Sequence, residues 1–324
     1  STVCEIFITV TDVNMFSPEI FHPSNGLQVN ITEGAAPLSI LLQVNASDKD
    51  PNDTLTYTID GDKGYFKIDP SSGVIHVSKT VDRENISSYI ITVSVSDRVN
   101  HTSQSTLNVT VLDINDNAPV FGNTSYSFEV VEEVHDTYLD VKANDSDIGQ
   151  NKEFEYELLK NHWISNIDID SKRGKIHVKS IDRENLNGTD QIQMLVIAKD
   201  KGIPQQRGFA WITITVKDIN DHPPTFKEPT RMFDLKEGYK GTFYHAQADD
   251  PDKGVNAIMH YRIIHGDESI FNISDTGDVS LWKPLVLDGR NNDSITLEIE
   301  AYNTVPYNST KITNGRQTLT IHIQ

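Results

Sequence analysis

Short runs in which apolar and polar residues alternate fill most of the chain, and this period of two predicts β-strands. The runs are rich in β-branched and aromatic side chains, and clear examples span residues 89–96, 105–112, 126–131, 191–198 and 209–216. No segment sustains the period of an amphipathic helix. The pattern therefore predicts an all-β fold in which the aromatic and branched side chains form the cores.

Turn and acidic markers between the predicted strands recur about every hundred residues. The segment VDREN at 81–85 returns as IDREN at 181–185, and LDINDNAPVF at 112–121 returns as KDINDHPPTF at 217–226. A glycine takes the same place in one predicted hairpin turn of each unit, at Gly73, Gly174 and Gly277. Repeated units of this length, each with several short strands, predict β-sandwiches in tandem.

The Asn-Asp-x-x-Pro segments mark the unit boundaries, because proline fixes φ and cannot donate to a β-ladder. We predict full units at residues 17–117, 118–222 and 223–324. We interpret residues 1–16 as the last strand of a preceding unit plus a degenerate linker. Since a lone edge strand would be exposed, we expect the chain to begin inside a domain of a longer protein.

The charge balance narrows the possible partners. The chain of 324 residues carries 28 Lys and Arg against 47 Asp and Glu, a formal net charge of −19. A polyanion would be repelled, so neither nucleic acid nor an anionic membrane is an expected partner. An excess of acidic residues usually indicates only a well-solvated surface. The alternative is that some of the carboxylates bind cations. The single cysteine, Cys4, excludes a disulfide framework and a thiolate metal site.

Twelve Asn-x-Ser/Thr sequons favour a secreted or cell-surface protein. We predict glycosylation at Asn30, Asn85, Asn100, Asn108, Asn123, Asn187, Asn272, Asn292 and Asn308. The other sequons begin at Asn45, Asn52 and Asn144, and the first and last of these lie beside acidic clusters.

Eight carboxylates converge on the boundary between the first two full units if each unit is a sandwich, because the loops concerned can share one pole. They are Glu33, Asp82, Glu84, Asp113, Asp116, Asp145, Asp147 and Asp200. The sequence supplies no cluster of Lys or Arg to pair them, so they would repel one another. Calcium takes roughly six to eight oxygen ligands in irregular geometry. These carboxylates, the Asn115 side chain and some backbone carbonyls would satisfy about two or three such ions.

Other metals and other site types fit less well. Zinc favours Cys and His, which do not accompany these acids, and magnesium wants few protein ligands in a strict octahedron. An EF-hand loop counted from Asp145 reaches Tyr156 where it needs a glutamate, and the equivalent loops fail in the same way. A glycosidase needs one pair of carboxylates, whereas these recur at every unit end. With no hydrolase, zinc-protease or phosphate-loop motif, we predict that the chain is not an enzyme.

The recurring motifs resemble the calcium-binding signatures of cadherin repeats. VDREN, LDINDNAPVF, DSDIGQN and DDPDKGVN carry the resemblance, which covers essentially the whole chain. It implies seven-stranded Greek-key β-sandwiches joined end to end, with up to roughly three calcium ions in each junction. It also implies cell adhesion by an extracellular region whose parent protein is anchored in the cell membrane.

Matching the motifs position by position implies the calcium ligands of the two full junctions. The first set is Glu33, Asp82, Glu84, Asp113, the Ile114 carbonyl, Asn115, Asp116, the Asn117 carbonyl, Asp145, Asp147, the Asn151 carbonyl and Asp200. The second set is Glu132, Asp182, Glu184, Asp218, the Ile219 carbonyl, Asn220, Asp221, the His222 carbonyl, Asp250, Asp252, Asn256 and Asn303. Alignment on Val130 favours Glu132 over Glu133. Asn303 stands where the family has Asp, so we expect the third ion there to bind more weakly.

Two other junctions depart from the family pattern. In the leading junction, Met15 and Phe16 replace the Asp and Asn of the linker, and the acidic loop is shortened and lacks its Gly-x-Asn. The residues left to hold one ion there are Asn14, Asp48, Asp50 and Asp97. In the third unit, LDGRN replaces DREN, so Asp288 remains without the Glu. We expect the site at that unit's far end to be weak or empty.

The resemblance implies that calcium at the junctions stiffens a rod of adhesive repeats. Some cadherins exchange an N-terminal strand anchored by Trp, but Trp163, Trp211 and Trp282 are all internal. The chain therefore resembles the middle of a long non-classical cadherin of the Fat, Dachsous or tip-link type. Its expected partners are other cadherins, in homophilic or heterophilic contact, with no small-molecule substrate. The alternative is a spacer or ligand-binding segment of a receptor that makes no adhesive contacts of its own.

Overall fold

The computed structural model describes residues 4–9, 13–160, 164–186, 188–286, 294–307 and 313–324, and nearly all of its regular structure is β-strand. The strands form three successive sets, each named here as a repeat. The first repeat holds β1 (Glu19–His22), β2 (Leu27–Thr32), β3 (Ile40–Gln43), β4 (Asn45–Ser47), β5 (Thr56–Asp60), β6 (Phe66–Ile68), β7 (Val74–Val77), β8 (Ser88–Ser96) and β9 (Thr102–Leu112).

The second and third repeats follow the same order of strands. The second holds β10 (Val120–Phe121), β11 (Ser125–Val131), β12 (Thr137–Asp140), β13 (Ala143–Asn144), α1 (Gly149–Lys152), β14 (Phe154–Leu159), β15 (Ile167–Ile169), β16 (Lys175–Val178), β17 (Gln191–Asp200) and β18 (Arg207–Lys217). The third holds β19 (Thr225–Phe226), β20 (Thr230–Leu235), β21 (Gly241–His245), β22 (Ala248–Asp249), β23 (Met259–His265), β24 (Phe271–Ile273), β25 (Asp278–Leu281), β26 (Ser294–Asn303) and β27 (Gly315–Ile323).

Each repeat pairs its strands in the same pattern. The sheet orders of the first repeat are β2-β9-β8-β5, β3-β7-β6 and β1-β4. Those of the second are β11-β18-β17-β14, β12-β16-β15 and β10-β13, and those of the third are β20-β27-β26-β23, β21-β25-β24 and β19-β22. In each repeat the second strand runs parallel to the last one, as β2 does to β9. The prediction of an all-β fold of tandem β-sandwiches is confirmed.

Alternation along the strands places every second side chain in a core. In β8 and β9, Ile91, Val93, Val95, Leu107 and Val109 are fully buried in one cluster. The third repeat buries its equivalent residues in the same way, at Leu297, Ile299, Leu319 and Ile321. Each such side chain contributes about 1.5–3 kcal/mol when it leaves water. The cores therefore hold the strand ends in place, and the loops at those ends carry the acidic residues.

The three equivalent glycines occupy the hairpin turns that the sequence predicts. Gly73, Gly174 and Gly277 have φ of +71°, +67° and +96°, a region that disfavours any residue with a Cβ. Each also packs against a backbone carbonyl of its own repeat. A Cβ on Gly73 would lie 2.8 Å from the Val44 oxygen, and one on Gly277 would lie 2.5 Å from the Ala246 oxygen.

Two local features differ from or go beyond the sequence expectations. One helical turn, α1, lies in the acidic loop of the second repeat, where four residues are too few to show a helical period. Residues 4–9 are exposed and form no strand, because a lone strand has no ladder partner. Their interpretation as the end of a preceding repeat stays a prediction.

The chain divides into two compact units. One unit comprises Ser1–Phe121, Ala143–Glu155 and Ala198–Gly208, and the other comprises Gly122–Lys142, Tyr156–Ile197 and Phe209–Gln324. All ligands implied for the first full junction belong to the former unit, and all those implied for the second belong to the latter. The predicted repeat boundaries at residues 117 and 222 stay a prediction.

Candidate metal centres

A buried glutamate at the end of the second strand anchors each full junction. Glu33 follows β2, is 3 % exposed, and accepts hydrogen bonds from the backbone N–H groups of Arg83 and Ile114, both at 2.8 Å. Glu132 follows β11, is fully buried, and accepts the equivalent bonds from Arg183 at 2.9 Å and Ile219 at 2.8 Å. Each carboxylate thus joins the Asp-Arg-Glu segment to the linker. Glu133, the next residue, is exposed, and the choice of Glu132 as the ligand stays a prediction.

Acidic oxygens of the first junction come together in two overlapping groups. Glu33, Asp82 and Glu84 each place an oxygen within 4.8 Å of the others, as do Glu84, Asp113 and Asp147. Burial, together with the neighbouring Glu33, raises the pKa of Glu84 to about 7. Burial and the charges of Glu33 and Asp147 likewise raise the pKa of Asp116. Ionising these neighbouring, partly buried carboxylates therefore costs free energy. A bound cation would offset that cost.

The Asp-x-Asp loop of the second repeat supplies the next two carboxylates. The Asp147 N–H donates to Asp145 Oδ1 at 3.0 Å, which folds the loop so that both side chains turn inward and are buried. Asp147 accepts hydrogen bonds from Asn117, from its N–H at 3.4 Å and from Nδ2 at 2.8 Å. The Asn151 side chain is engaged separately, because its Nδ2 donates to Asp113 Oδ2 at 2.8 Å, and the role of its carbonyl as a ligand stays a prediction.

Asn115 and Asp200 form the third part of the first junction. Asn115 Nδ2 donates to Asp200 Oδ2 at 3.0 Å, and both side chains are buried. The Gln206 N–H donates to both Asp200 oxygens at 3.0 Å, so the carboxylate is held at the end of β17. Gly202 packs so tightly on Asn115 that a Cβ there would overlap the Asn115 amide. Sequence reasoning missed Gly202, because no turn signal singles it out.

The second junction repeats this arrangement. Glu132, Asp182 and Glu184 form one acidic group, and Glu184, Asp221 and His222 form another. The Asp252 N–H donates to Asp250 Oδ1 at 3.0 Å, and Asn256 Nδ2 donates to Asp218 Oδ2 at 2.8 Å. Burial, with the charge of Glu132, raises the pKa of Glu184 to about 7. Burial, with the charges of Asp250 and Asp218, raises the pKa of Asp252 to about 6.

Each full junction also contains one arginine that pairs some of these acids, although the sequence supplies no basic cluster. The Arg83 guanidinium forms ion pairs with Asp113 and Glu84, and its Nη2 donates to the Ser146 carbonyl at 2.8 Å. Arg183 is 5 % exposed and pairs in the same way with Asp218 and Glu184. A single arginine inside each Asp-Arg-Glu motif forms no basic cluster, so the sequence pattern does not predict these ion pairs. One cation among so many carboxylates still leaves excess negative charge.

Asn303 changes the third part of the second junction. Its Nδ2 donates to Asp250 Oδ2 at 2.9 Å and to the Asn256 carbonyl at 2.6 Å, two groups implied as calcium ligands. Its Oδ1 accepts a hydrogen bond from the Tyr307 hydroxyl at 2.9 Å. The Asn303 amide therefore points its NH₂ group at the implied ligand oxygens of Asp250 and Asn256. Its own oxygen is bonded to Tyr307. The missing charge at Asn303 is visible in the sequence, whereas the contact with Tyr307 is not.

Asn303→Asp is expected to raise calcium affinity at this third position about tenfold, because ligand charge tunes calcium affinity and the competing donor is removed. Asp200→Asn is the converse variant at the first junction and is expected to lower affinity there by a similar factor. Isothermal titration of both variants with calcium measures the change. Unchanged affinity in Asn303→Asp would show that this position is not a ligand.

The leading junction is built differently. Asp50 Oδ2 accepts hydrogen bonds from the Met15 and Phe16 N–H groups at 2.9 and 2.8 Å, so the protein itself engages that oxygen. Asp48, Asp53 and Asp97 place oxygens within 4.8 Å of one another. Asn14 contacts Asp53 through its side-chain amide. Asp53 was not among the predicted ligands. The loop that begins at Asp48 is shorter than the other acidic loops, so Asp53 does not align with Asn151 or Asn256.

Buried oxygens without hydrogen-bond partners test whether the junctions fit calcium. Within the described residues, these include Asn115 Oδ1 and Asp145 Oδ2 at the first junction, and Asn220 Oδ1 and Asp252 Oδ1 at the second. A buried, unpaired oxygen is costly unless something satisfies it. All four are oxygens, the atoms that calcium prefers, so the donor set fits this ion. Asp48 Oδ2 meets the same description at the leading junction.

Without calcium, the chain is expected to lose stability as the pH rises from about 5 to about 8. The folded-state pKa values of Glu84 and Glu184 are raised from 4.5 to about 7, so these groups hold protons in the folded state that the unfolded state has released. The stability they contribute is fully present below pH 4.5 and is lost as the pH rises through 7. Melting temperatures in a chelator at both pH values measure this. A higher melting temperature at pH 8 would contradict it.

The predicted sequons lie mostly at the surface. Asn30, Asn85, Asn100, Asn123 and Asn272 are exposed, and Asn108 is partly buried. Asn187, Asn292 and Asn308 lie outside the described residues, as do Trp163 and Asp288. The use of these sequons stays a prediction.

Comparison with known proteins identifies the family. The model of the family described as "Cadherin domain" matches residues 27–112 and 126–217. The chain therefore belongs to the cadherin family, whose members are adhesion ectodomains rather than enzymes. The prediction that the chain is not an enzyme is confirmed on this ground. Cadherin domains bind calcium at the junctions between repeats, where the acidic groups described above lie.

Several long cadherins are similar to this chain in sequence. "Protocadherin-like wing polarity protein stan" of Drosophila melanogaster is 33 % identical over 287 residues, which cover 83 % of this chain and 8 % of that protein. Human "Protocadherin Fat 1" is 32 % identical over 308 residues, covering 91 % of this chain and 7 % of that protein. The chain thus spans less than a tenth of either relative. The expectation of a long non-classical cadherin type is confirmed.

A solved structure shares the fold over nearly the whole chain. The crystal structure of mouse cadherin-23 EC22-24 matches with a TM-score of 0.81 and 26 % identity, covering 95 % of this chain and 99 % of that one. The relatives are membrane-anchored proteins with extracellular cadherin repeats. Within the described part of this chain, no helix combines the length and apolar character that a bilayer span requires.

Proposed function

We propose that this chain is a calcium-dependent segment of a cell-adhesion ectodomain, in which ions at the two full junctions hold successive repeats in a stiff arrangement. The observation that carries the proposal is the set of buried, unpartnered oxygens among clustered carboxylates at both junctions. Glu33 and Glu132 would bind ions while tying the Asp-Arg-Glu segment to the linker. Bound calcium would neutralise the excess negative charge of these carboxylates.

Binding only to the ordered junction would stabilise that junction by mass action. Calcium affinity then sets the fraction of molecules in which each junction is ordered. The extracellular face of a cell membrane is the location that family membership supports. Other cadherins, in homophilic or heterophilic contact, are the proposed partners.

Removing calcium with a chelator is expected to leave each sandwich folded while making residues 113–121 and 218–226 sensitive to proteases. Asp116→Ala is expected to expose only the first of these segments in the presence of calcium. Limited proteolysis with mass-spectrometric mapping of the cut sites measures both effects. Asp140→Ala, an exposed change away from the junctions, is the control. Identical cleavage with and without chelator, or equal exposure of both segments in Asp116→Ala, would contradict the proposal.

The oligomeric state of the chain in solution distinguishes an adhesive segment from a spacer. Sedimentation of the chain in calcium, across a range of concentrations, is expected to show a reversible dimer if the segment makes homophilic contacts. A monomer at every concentration would favour the alternative function, a spacer within a receptor.

A further inference from the structure

The two full junctions differ in the side chain that follows the Asn-Asp pair of the linker. In the first, Asn117 Nδ2 donates to Asp116 Oδ1 and to Asp147 Oδ1, both at 2.8 Å. In the second, the equivalent residue is His222, whose Nδ1 lies 2.7 Å from Asp221 Oδ1 and 3.4 Å from Asp252 Oδ1. The imidazole therefore occupies the place that an amide occupies in the first junction.

This exchange changes what the junction can bind. The amide nitrogen of asparagine is only a donor, whereas imidazole Nδ1 can give up its proton and become a metal ligand. Glu184, Asp221 and His222 each place a ligand atom within 4.8 Å of the others. His222 Nδ1 lies 3.9 Å from Glu184 Oε2. The ring is partly exposed, which leaves a path by which an ion can reach it.

The second observation is that two of these carboxylate oxygens are buried without a hydrogen-bond partner in the described part of the chain. Glu184 Oε2 and Asp252 Oδ1 are buried and have no hydrogen-bond partner within the described residues. The Asp252 side chain is fully buried, and its Oδ1 faces the same imidazole nitrogen. The His222 nitrogen thus lies within 4.8 Å of oxygens of Glu184 and Asp221 and at 3.4 Å from Asp252 Oδ1. That donor set suits a four-coordinate ion of borderline softness, because imidazole favours zinc and similar metals over calcium.

We propose that the second junction, unlike the first, is a binding site for a first-row transition-metal ion such as Zn²⁺, held by His222 Nδ1 and the carboxylates of Glu184, Asp221 and Asp252. The inference rests on the proposed function, since the same carboxylates are proposed calcium ligands. The two ions therefore compete, and zinc bound through His222 excludes calcium from part of this junction.

Zinc titration of three matched chains tests the inference. The wild type, His222→Asn and Asn117→His are titrated with Zn²⁺ in calcium-free buffer by isothermal titration calorimetry, with Co²⁺ absorption as a second readout of nitrogen ligation. His222→Asn copies the first junction and is expected to lower affinity at the tightest zinc site at least about tenfold, since even a partner that only orients a ligand is worth that much. Asn117→His is expected to add a second zinc site.

Calcium titration of the same chains separates this inference from the proposed function. Calcium affinity of the wild type reports on the proposed function, whereas the zinc affinities of the two variants report on the imidazole. Lower zinc affinity in His222→Asn together with an added zinc site in Asn117→His supports the site. Equal zinc affinity in the wild type and His222→Asn, or no added site in Asn117→His, overturns it. Failure of all three chains to bind calcium would instead overturn the proposed function.

Discussion

Glu132→Gln is expected to lower calcium affinity at the second junction about 100-fold, the upper end of the cost of losing a residue that only orients a ligand. The change removes a full negative charge from a fully buried position. It also places an amide NH₂ where the Arg183 and Ile219 N–H groups now find two acceptors, so one donor would face another. Calcium titration calorimetry measures the loss, and the first junction should keep its affinity.

Glu133→Gln is the matched control, because it makes the same chemical change one residue later. Glu133 is exposed and has a φ of +58°, which turns its side chain away from the strand pattern that buries Glu132. Calcium affinity in this variant is expected to stay within about twofold of the wild type, as for an exposed charge screened by solvent. Equal losses in the two variants would show that net charge, rather than the buried carboxylate, governs binding.

Gly208→Ala is expected to destabilise the chain by about 1–3 kcal/mol or more, the usual cost of forcing an extra methyl group into a packed site. A Cβ on Gly208 would overlap the Pro119 carbonyl oxygen and lie 2.9 Å from its carbon, and backbone atoms cannot move aside as a side chain can. Gly315 packs on Pro224 in the same way, with the carbonyl carbon at 3.0 Å from a built Cβ. The linker proline and the start of the last strand are thus fitted to each other.

Gly122→Ala is the control for this substitution. Its built Cβ would meet nothing closer than the Tyr126 hydroxyl at 3.9 Å, which is ordinary contact. Urea unfolding of both variants in calcium gives the two changes in the free energy of unfolding. Equal stability of Gly208→Ala and the wild type would show that the linker can shift at no cost.

Much of the fold could be predicted because its signals are local. Alternation in segments such as 89–96 and 105–112 specifies strands, and Gly73, Gly174 and Gly277 mark turns that need a positive φ. The single turn α1 could not be predicted, since its four residues are too few to show a helical period. The broken first strand, in which β1 and β2 join different sheets, depends on tertiary pairing that a single sequence does not display.

The acidic residues of the site could be found because they recur in order, but their partners could not. Arg83 and Arg183 stand singly inside the Asp-Arg-Glu motifs, and their ion pairs depend on the fold, which brings Asp113 and Asp218 alongside. Tyr307 reaches Asn303 through a loop with no repeated signature. Asp53 enters the leading group because a shortened loop changes its register.

Calcium binding to a chain carrying both Glu33→Gln and Glu132→Gln tests the central claim most directly. The wild type is expected to bind several ions, with the third position of the second junction the weakest of its junction. The double variant is expected to lose high-affinity binding at both junctions and to become protease-sensitive at residues 113–121 and 218–226 even in calcium. If the double variant instead binds as much calcium as the wild type, with the same affinity, the ions do not lie at these junctions and the account is wrong.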